Sequence, residues 1–129
     1  MDKPKVFISY SRPDADWARS FAEALMKLGL NVWFDEFEIQ PGESLRDGLE
    51  SGLRESDVFV VLIDPNFPSK PNVFFELGAA IGMGKKLVPI VPKEVEISSL
   101  PLELRLRKFL VKDSPEETAE ELSHALTAA

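Results

Sequence analysis

Short apolar runs alternate with amphipathic stretches along the chain, which is the pattern of a protein built from βαβ units. Runs of five or six residues rich in β-branched and aromatic side chains predict five strands, at residues 5–10, 31–35, 58–63, 87–91 and 108–112. Apolar residues spaced three or four apart predict helices at residues 14–28, 44–54, 73–83 and 115–126, with a short helix or irregular turn at 98–106. Because strands and helices alternate with short connections, we expect an open parallel sheet with helices on both faces.

Several residues indicate where these elements end or how they pair. Gly29 is a natural C-terminal stop for the first helix, whose apolar face is expected to include Leu28. Ser114 and Pro115 suit the N-cap and the first position of the last helix. Pro89 lacks a backbone N–H, so its strand should lie near an edge of the sheet or pair poorly at that point.

The run at residues 58–63 is continuously apolar, as in strands that are buried on both faces of a parallel sheet. Five strands in 129 residues fit a flavodoxin-like three-layer sandwich with strand order 2-1-3-4-5. No repeat or linker divides the chain, so we expect a single domain over residues 1–129.

The composition narrows the possible chemistry. The chain has 22 acidic and 15 basic side chains, one His and no Cys, so neither a thiolate nor a His-based metal site is expected. The net charge of -7 disfavours a general binder of nucleic-acid backbones. Neither a signal peptide nor an apolar run of ~18 residues is present, which predicts a cytoplasmic domain that does not enter a membrane.

In this topology, ligands bind beyond the carboxyl ends of the strands, at the switch point between strands 1 and 3. Strand 1 ends there in residues 9–12, and strand 3 ends in residues 64–67, whose loop leads to the helix with Glu76. Strand 2 brings Asp35 and the loop at residues 36–43 to the same side. The topology therefore predicts one site built from three strand ends.

Glu76 lies in an otherwise apolar stretch, residues 74–80, where a carboxylate is costly to bury unless it is paired or used. It falls near the first turn of its helix, where the positive end of the dipole stabilises a negative charge. Two interpretations stay open. Glu76 is either a functional acid, or an acid that only complements the dipole or pairs with Arg12 or Lys85.

A receiver domain would share this fold and needs an acidic pair after strand 1, an Asp after strand 3 and a Lys after strand 5. Asp64 and Lys112 fit the last two positions. Strand 1, however, ends in Ser-Tyr-Ser at residues 9–11. The acidic pair that would hold Mg²⁺ is missing, which excludes this function.

Several motifs follow one another along the chain. Residues 6–11 (VFISYS) are followed by Asp14, and residues 32–35 (VWFD) are followed by Ile39 and Gly42. The first motif resembles the first conserved box of Toll/interleukin-1 receptor (TIR) domains, and the second resembles their second strand and BB loop. The segments that resemble the third strand, third helix and fourth strand are residues 56–62, 75–77 and 86–90. The third-helix segment is also similar to nucleoside 2-deoxyribosyltransferases, which lack the opening motif.

The resemblance covers roughly residues 4–112 and implies one of two functions. Some TIR domains hydrolyse NAD⁺ with a Glu in the third helix, a position that Glu76 matches, whereas others are non-enzymatic adaptors that signal through TIR–TIR contacts. We prefer the enzyme, because Glu76 is present in an apolar setting. NAD⁺ is then a substrate that yields nicotinamide and ADP-ribose or a cyclic ADP-ribose, in bacterial defence or signalling, with no cofactor.

The resemblance also implies which residues bind the substrate and which mediate assembly. Tyr10, Ser11 and Arg12 match the strand-1 segment that lines the nucleotide pocket. The other expected substrate-binding residues are Asp35, Gly42 and Phe74. The BB-loop residues expected at a self-association interface are Glu36, Phe37, Glu38, Ile39, Gln40, Pro41 and Gly42. A partner module or sensor domain outside this chain is expected as well.

One position departs from the family pattern. Many catalytic members carry a Trp four residues before the Glu, where this chain has Asn72. The aromatic residues that remain as candidates to face the substrate instead are Phe74, Phe75, Phe67 and Trp33.

Overall fold

Five short strands form the centre of the protein. The computed structural model describes residues 4–10, 12–34, 40–63, 84–96, 98 and 109–127. The strands in this part of the chain are β1 (Lys5–Ser9), β2 (Asn31–Trp33), β3 (Val58–Leu62), β4 (Lys86–Val91) and β5 (Leu110–Val111). They form one sheet in the order β2-β1-β3-β4-β5, and every neighbouring pair is parallel. The flavodoxin-like topology predicted from the sequence is thus confirmed.

The helices begin and end close to the predicted positions. A 3₁₀ turn (Arg12–Asp14) leads into α1 (Ala15–Lys27), α2 (Leu45–Glu55) follows β2, and α3 (Pro115–Thr127) ends the described chain. The helix predicted at residues 73–83 lies outside the described residues, as does nearly all of the segment at 98–106.

Helices α1 and α3 cover one face of the sheet. The sheet contributes Val6, Ile8, Val58 and Val60 to this core, and each of these side chains is almost completely buried. From the helices, the buried residues that pack here are Ala18, Phe21, Ala22, Leu25, Ala119 and Leu122. In this layer the first and last of the described helices pack against each other and against β1 and β3.

The opposite face carries a row of aromatic rings beneath α2. Phe7 pairs in register with Trp33 on one side and with Phe59 on the other. The rings are nearly parallel, with centroids 4.8 Å apart for Phe7 and Trp33 and 5.4 Å apart for Phe7 and Phe59. A side chain at Gly52 of α2 would overlap the indole of Trp33, so the helix packs directly against this row.

The helix ends are capped as their sequences indicate. Gly29 has φ +89°, Leu30 N–H donates to Leu25 C=O, and Gly29 N–H donates to Met26 C=O, which together form a Schellman motif. Leu28 is 39% exposed, so its predicted place on the apolar face of α1 is wrong. It lies at the C-cap, where the chain already turns away from the helix axis.

Pro89 lies in β4, the strand next to the β5 edge of the described sheet. It pairs with Val61 of β3, whereas the pairs with β5 begin only at Ile90 and continue at Val91. Pro89, which has no N–H, therefore lies where β4 is not yet paired with β5, as the sequence predicted.

Candidate functional site

The predicted site lies where β1 and β2 end, and the described residues there form an aromatic contact. Tyr10 follows β1 directly and Phe34 follows β2, so both lie at the carboxyl edge of the sheet. Their rings stack with centroids 5.1 Å apart, and Phe34 is fully buried. Tyr10 is half-buried and packs against the core under α1. One strand end thus anchors the other, which fixes where the chain leaves β1.

A second set of contacts involves Asp14, four residues after Tyr10. These contacts join the start of α1 to the segment that follows β5. Asp14 Oδ1 accepts a hydrogen bond from Lys112 Nζ at 3.0 Å, and these side chains are only 12% and 22% exposed. The same ammonium group lies 5.1 Å from the centroid of the Trp17 ring, while Trp17 Nε1 donates to the Asp113 carbonyl oxygen at 3.0 Å. Sequence reasoning missed this cluster, because it joins residues nearly a hundred positions apart.

The segment after β5 is ordered by its own hydrogen bonds. Asp113 N–H donates to the Thr118 hydroxyl oxygen, and Ser114 Oγ accepts from Glu117 N–H as the N-cap of α3. The Asp113 carboxylate beside Glu117 raises the pKa of that exposed glutamate, through charge repulsion first and through a side-chain hydrogen bond second. Lys112 and Asp113 therefore project from a firmly capped turn.

The described part of the expected BB loop is a tight turn that leads into α2. Glu43 N–H donates to Gln40 C=O at 3.0 Å, and Gln40 N–H donates to the Glu43 carboxylate at 2.8 Å. Pro41 and Gly42 occupy the two central positions, and Gly42 has φ +92°, which is the pattern of a type II turn. These four residues are exposed, so this end of the loop is accessible to a ligand or a partner.

An open cleft of about 600 Å³ lies along α2. Its lining residues are Trp33, Glu43, Ser44, Asp47, Gly48, Ser51 and Glu55. Three of them are carboxylates, which would repel the phosphates of a nucleotide. Of the predicted substrate-binding residues whose placement the structure describes in full, which are Tyr10 and Gly42, neither lines this cleft, and we do not assign it to the nucleotide.

Several predicted site residues lie outside the described part of the chain. Among the substrate-site residues these are Glu76, Ser11, Asp35 and Phe74, and in the BB loop they are Glu36, Phe37, Glu38 and Ile39. Of the remaining residues, Tyr10 and the turn at Arg12 lie at the carboxyl end of β1, and Gly42 lies in the turn before α2.

The structure decides one question about the aromatic residues. Trp33 is 5% exposed, with one face against Phe7 and Gly52 packed against its indole ring. Its ring therefore packs mainly in the layer under α2, and only a small exposed part borders the cleft along that helix. The other candidates, Phe67, Phe74 and Phe75, lie outside the described residues.

Within the described ranges, no group of three or more acidic or His side chains is placed to hold a metal ion. In the same part of the chain, no helix is both long and apolar enough to span a bilayer.

Curated proteins with similar sequences include several bacterial TIR proteins. The chain is 32% identical over 126 residues to the 2' cyclic ADP-D-ribose synthase AbTIR of Acinetobacter baumannii, covering 94% of this chain and 47% of that protein. It is 34% identical over 76 residues to the NAD(+) hydrolase TcpC of Escherichia coli O6:H1, covering 58% of this chain and 25% of that protein. The chain thus spans less than half the length of these relatives.

Among solved structures, a metazoan TIR-STING receptor from C. gigas shares the fold. The superposition has a TM-score of 0.80 at 23% identity and covers 95% of this chain and 39% of the receptor. The sequence pattern of the TIR domain matches residues 6–127, which is nearly the whole chain. Together with the strand order and the motifs that include β1 and β2, this match shows that the chain belongs to the TIR domain family.

Proposed function

We propose that this TIR domain, residues 1–129, cleaves the bond between nicotinamide and ribose in NAD⁺, with Glu76 as its catalytic carboxylate. The observation that carries the proposal is the match to AbTIR, a 2' cyclic ADP-D-ribose synthase, over 94% of this chain. The match to the NAD(+) hydrolase TcpC supports the same substrate. The apolar surroundings of Glu76 in the sequence support its role, because an acid there is costly unless it is used.

The chemistry needs little beyond a placed carboxylate. Nicotinamide is attached to the ribose as a pyridinium cation, so the C1′–N1 bond breaks with its electron pair going to nitrogen and neutral nicotinamide leaves. The ribosyl group becomes an oxocarbenium-like cation, which a nearby carboxylate stabilises electrostatically. Attack at C1′ by water, with loss of a proton, gives ADP-ribose, whereas attack by a hydroxyl of the same molecule gives a cyclic product. Neither route requires a bound metal or a cofactor.

The residues at the end of β1 supply the proposed binding surface. Tyr10 is held in place by the ring of Phe34, and it directly precedes Ser11 and Arg12, whose side chains suit the ribose and the diphosphate. Asp35, Gly42 and Phe74 complete the proposed substrate-binding set. The charged diphosphate needs only local cations and backbone N–H groups, so the acidic net charge does not oppose binding.

We propose that self-association through the BB loop, residues 36–42, completes this site. The exposed turn from Gln40 to Glu43 is accessible to a second copy, and its two hydrogen bonds give it a defined shape. Activity then depends on the concentration of the chain. We propose that the domain acts in the cytoplasm, where NAD⁺ is available. Its proposed role is in bacterial defence or signalling, and a partner or sensor module would control it.

The test is incubation of the purified chain with NAD⁺ over a wide range of protein concentration, with chromatography for nicotinamide. The wild type should release nicotinamide with a rate per molecule that rises with concentration. Glu76→Gln, which keeps the shape of the side chain, should release almost none. The matched control is Glu121→Gln, which changes an exposed glutamate of α3 and should behave as wild type.

Three other results would each overturn part of the proposal. A folded, concentrated wild type that releases no nicotinamide would favour the adaptor function. Equal release by wild type and Glu76→Gln would assign catalysis to another residue. Cleavage of a deoxynucleoside with no effect on NAD⁺ would indicate a deoxyribosyltransferase.

A further inference from the structure

The ion pair between Asp14 and Lys112 differs from the other ion pairs of the described chain by its burial. The two side chains are 12% and 22% exposed, whereas in the pair between Lys5 and Glu55 they are 32% and 62% exposed. Lys112 Nζ donates to Asp14 Oδ1 and also lies over the Trp17 ring. Exposed ion pairs contribute little, but a desolvated pair is costly to break because it leaves one charge buried without a partner.

The carboxylate of Asp14 depends heavily on this lysine. Its second oxygen, Oδ2, is buried and receives no hydrogen bond from any of the described residues. If Lys112 is removed, Asp14 must turn toward water to recover solvation, because an unpaired buried charge is strongly unfavourable. Such a movement would displace the 3₁₀ turn Arg12–Asp14, of which Asp14 is the last residue.

This turn directly adjoins the proposed substrate-binding segment. At one end of the segment, Tyr10 is fixed by its stack on Phe34. At the other end, Asp14 is fixed by Lys112, which is anchored in turn because its backbone N–H donates to Val91 C=O at 2.8 Å. A three-residue 3₁₀ turn has few hydrogen bonds of its own, so its geometry depends on these two attachments.

We propose that Asp14 and Lys112 are positioning residues for NAD⁺ cleavage. Their ion pair fixes the turn Arg12–Asp14, and thereby the position of the proposed nucleotide-binding residue Arg12 relative to Tyr10, although neither partner of the pair contacts the substrate. This inference rests on the proposed function, and it adds a requirement that the strand-1 motif alone does not contain. The segment after β5, which contains Lys112, must be in place for the segment after β1 to bind NAD⁺.

The test compares KM and kcat for NAD⁺ in the full chain. Lys112→Met keeps much of the side-chain volume but removes the charge, so KM should rise roughly tenfold or more from a small displacement of the binding segment. The value of kcat at saturation should stay within about twofold of wild type, because the proposed catalytic carboxylate is on another element. Lys112→Arg should restore KM, since it keeps a cation beside Asp14.

A second variant and a double mutant sharpen the test. Asp14→Asn keeps the shape of the side chain and removes the buried charge, so its KM should rise less than that of Lys112→Met. Combining Asp14→Asn with Lys112→Met should give a KM below that of Lys112→Met alone, because no carboxylate is left unpaired. The matched control is Lys5→Met, which breaks an exposed ion pair at the amino end of β1 and should leave KM unchanged.

An unchanged KM in folded Lys112→Met would overturn the proposal. If Lys112→Met does not fold, an unchanged KM in Asp14→Asn would overturn the proposal. An equal rise in Lys5→Met would also overturn it, because the effect would then be one of general stability.

Amide exchange measured by NMR separates this inference from the proposed function. Exchange at Tyr10 and Arg12 should be faster in Lys112→Met than in wild type, while exchange at Leu25 in α1 stays the same. If wild type releases no nicotinamide, the proposed function fails, and exchange still decides whether the ion pair orders the segment. Equal exchange at Tyr10 and Arg12 in both proteins would refute the positioning role.

Discussion

A methyl group at Gly52 has no room, because the indole of Trp33 lies directly against this position of α2. A Cβ built there would lie 2.5 Å from Cδ2 of Trp33 and even closer to Cε2 and Nε1. Ordinary carbon–carbon contacts are about 3.5–4.0 Å, so Gly52→Ala requires the ring or the helix to move by about 1 Å or more. The ring cannot easily retreat, since Phe7 lies parallel to it at 4.8 Å and Phe59 lies behind Phe7.

Two opposing terms set the size of the effect. Alanine in place of glycine in a helix interior favours the helix by about 1 kcal/mol. Overpacking in a well-filled core costs about 1–3 kcal/mol. We expect a cost near the upper end of that range, because the rings of Phe7 and Phe59 leave Trp33 little room to move. We therefore expect Gly52→Ala to lower the free energy of unfolding by about 2 kcal/mol, which corresponds to ~7 °C in Tm for a domain of this size.

The assay is urea unfolding followed by Trp fluorescence, with thermal unfolding alongside. Ser51→Ala is the matched control, because this exposed neighbour in α2 gains helix propensity without a clash and should be as stable as wild type or slightly more. The cost of Gly52→Ala should shrink when Trp33 is replaced by the smaller Phe. If Gly52→Ala is as stable as wild type or more stable, with an unchanged m-value, then Trp33 does not pack closely on α2.

Three further predictions concern single interactions. Ser114→Ala removes the N-cap of α3 and should lower stability by about 1 kcal/mol in urea unfolding. Gly42→Ala should cost about 1–2 kcal/mol through backbone strain at φ +92° alone, since no atom lies within 4 Å of the added methyl group. Asp113→Asn should lower the pKa of Glu117, measured by NMR titration, because it removes the main cause of the upward shift. A raised pKa in the folded state favours folding at acidic pH, and this contribution is lost as the pH rises through that pKa, so Asp113→Asn should also weaken this pH dependence.

The topology could be predicted from the sequence because its signals are local. The continuous apolar run of β3 marks a strand buried on both faces, and the structure has all five of its residues buried. Pro89 indicated a strand near the edge, and Gly29 and Ser114 marked helix ends, each through a backbone property of the residue itself. Such signals do not require knowledge of what lies across the fold.

The contacts that shape the site could not be predicted in the same way. Asp14 and Lys112 are 98 positions apart, and no periodicity links them. A glycine inside an amphipathic helix indicates close packing in general, but Gly52 does not itself identify Trp33 as its neighbour. The place of Tyr10 after β1 predicts that it lies near a ligand site, and only the resemblance to TIR domains implies that the ligand is a nucleotide. Its stack on Phe34 depends on the register of β1 and β2. These features follow from the tertiary structure.

Cleavage of NAD⁺ by this chain with Glu76 is best tested by measuring the nicotinamide released for each NAD⁺ consumed. Concentrated wild type should release one nicotinamide for each NAD⁺ that disappears, and Glu76→Gln at the same concentration should leave NAD⁺ intact. If NAD⁺ stays intact with folded wild type at every concentration, or if both proteins release the same amount of nicotinamide, the proposed cleavage with Glu76 is wrong.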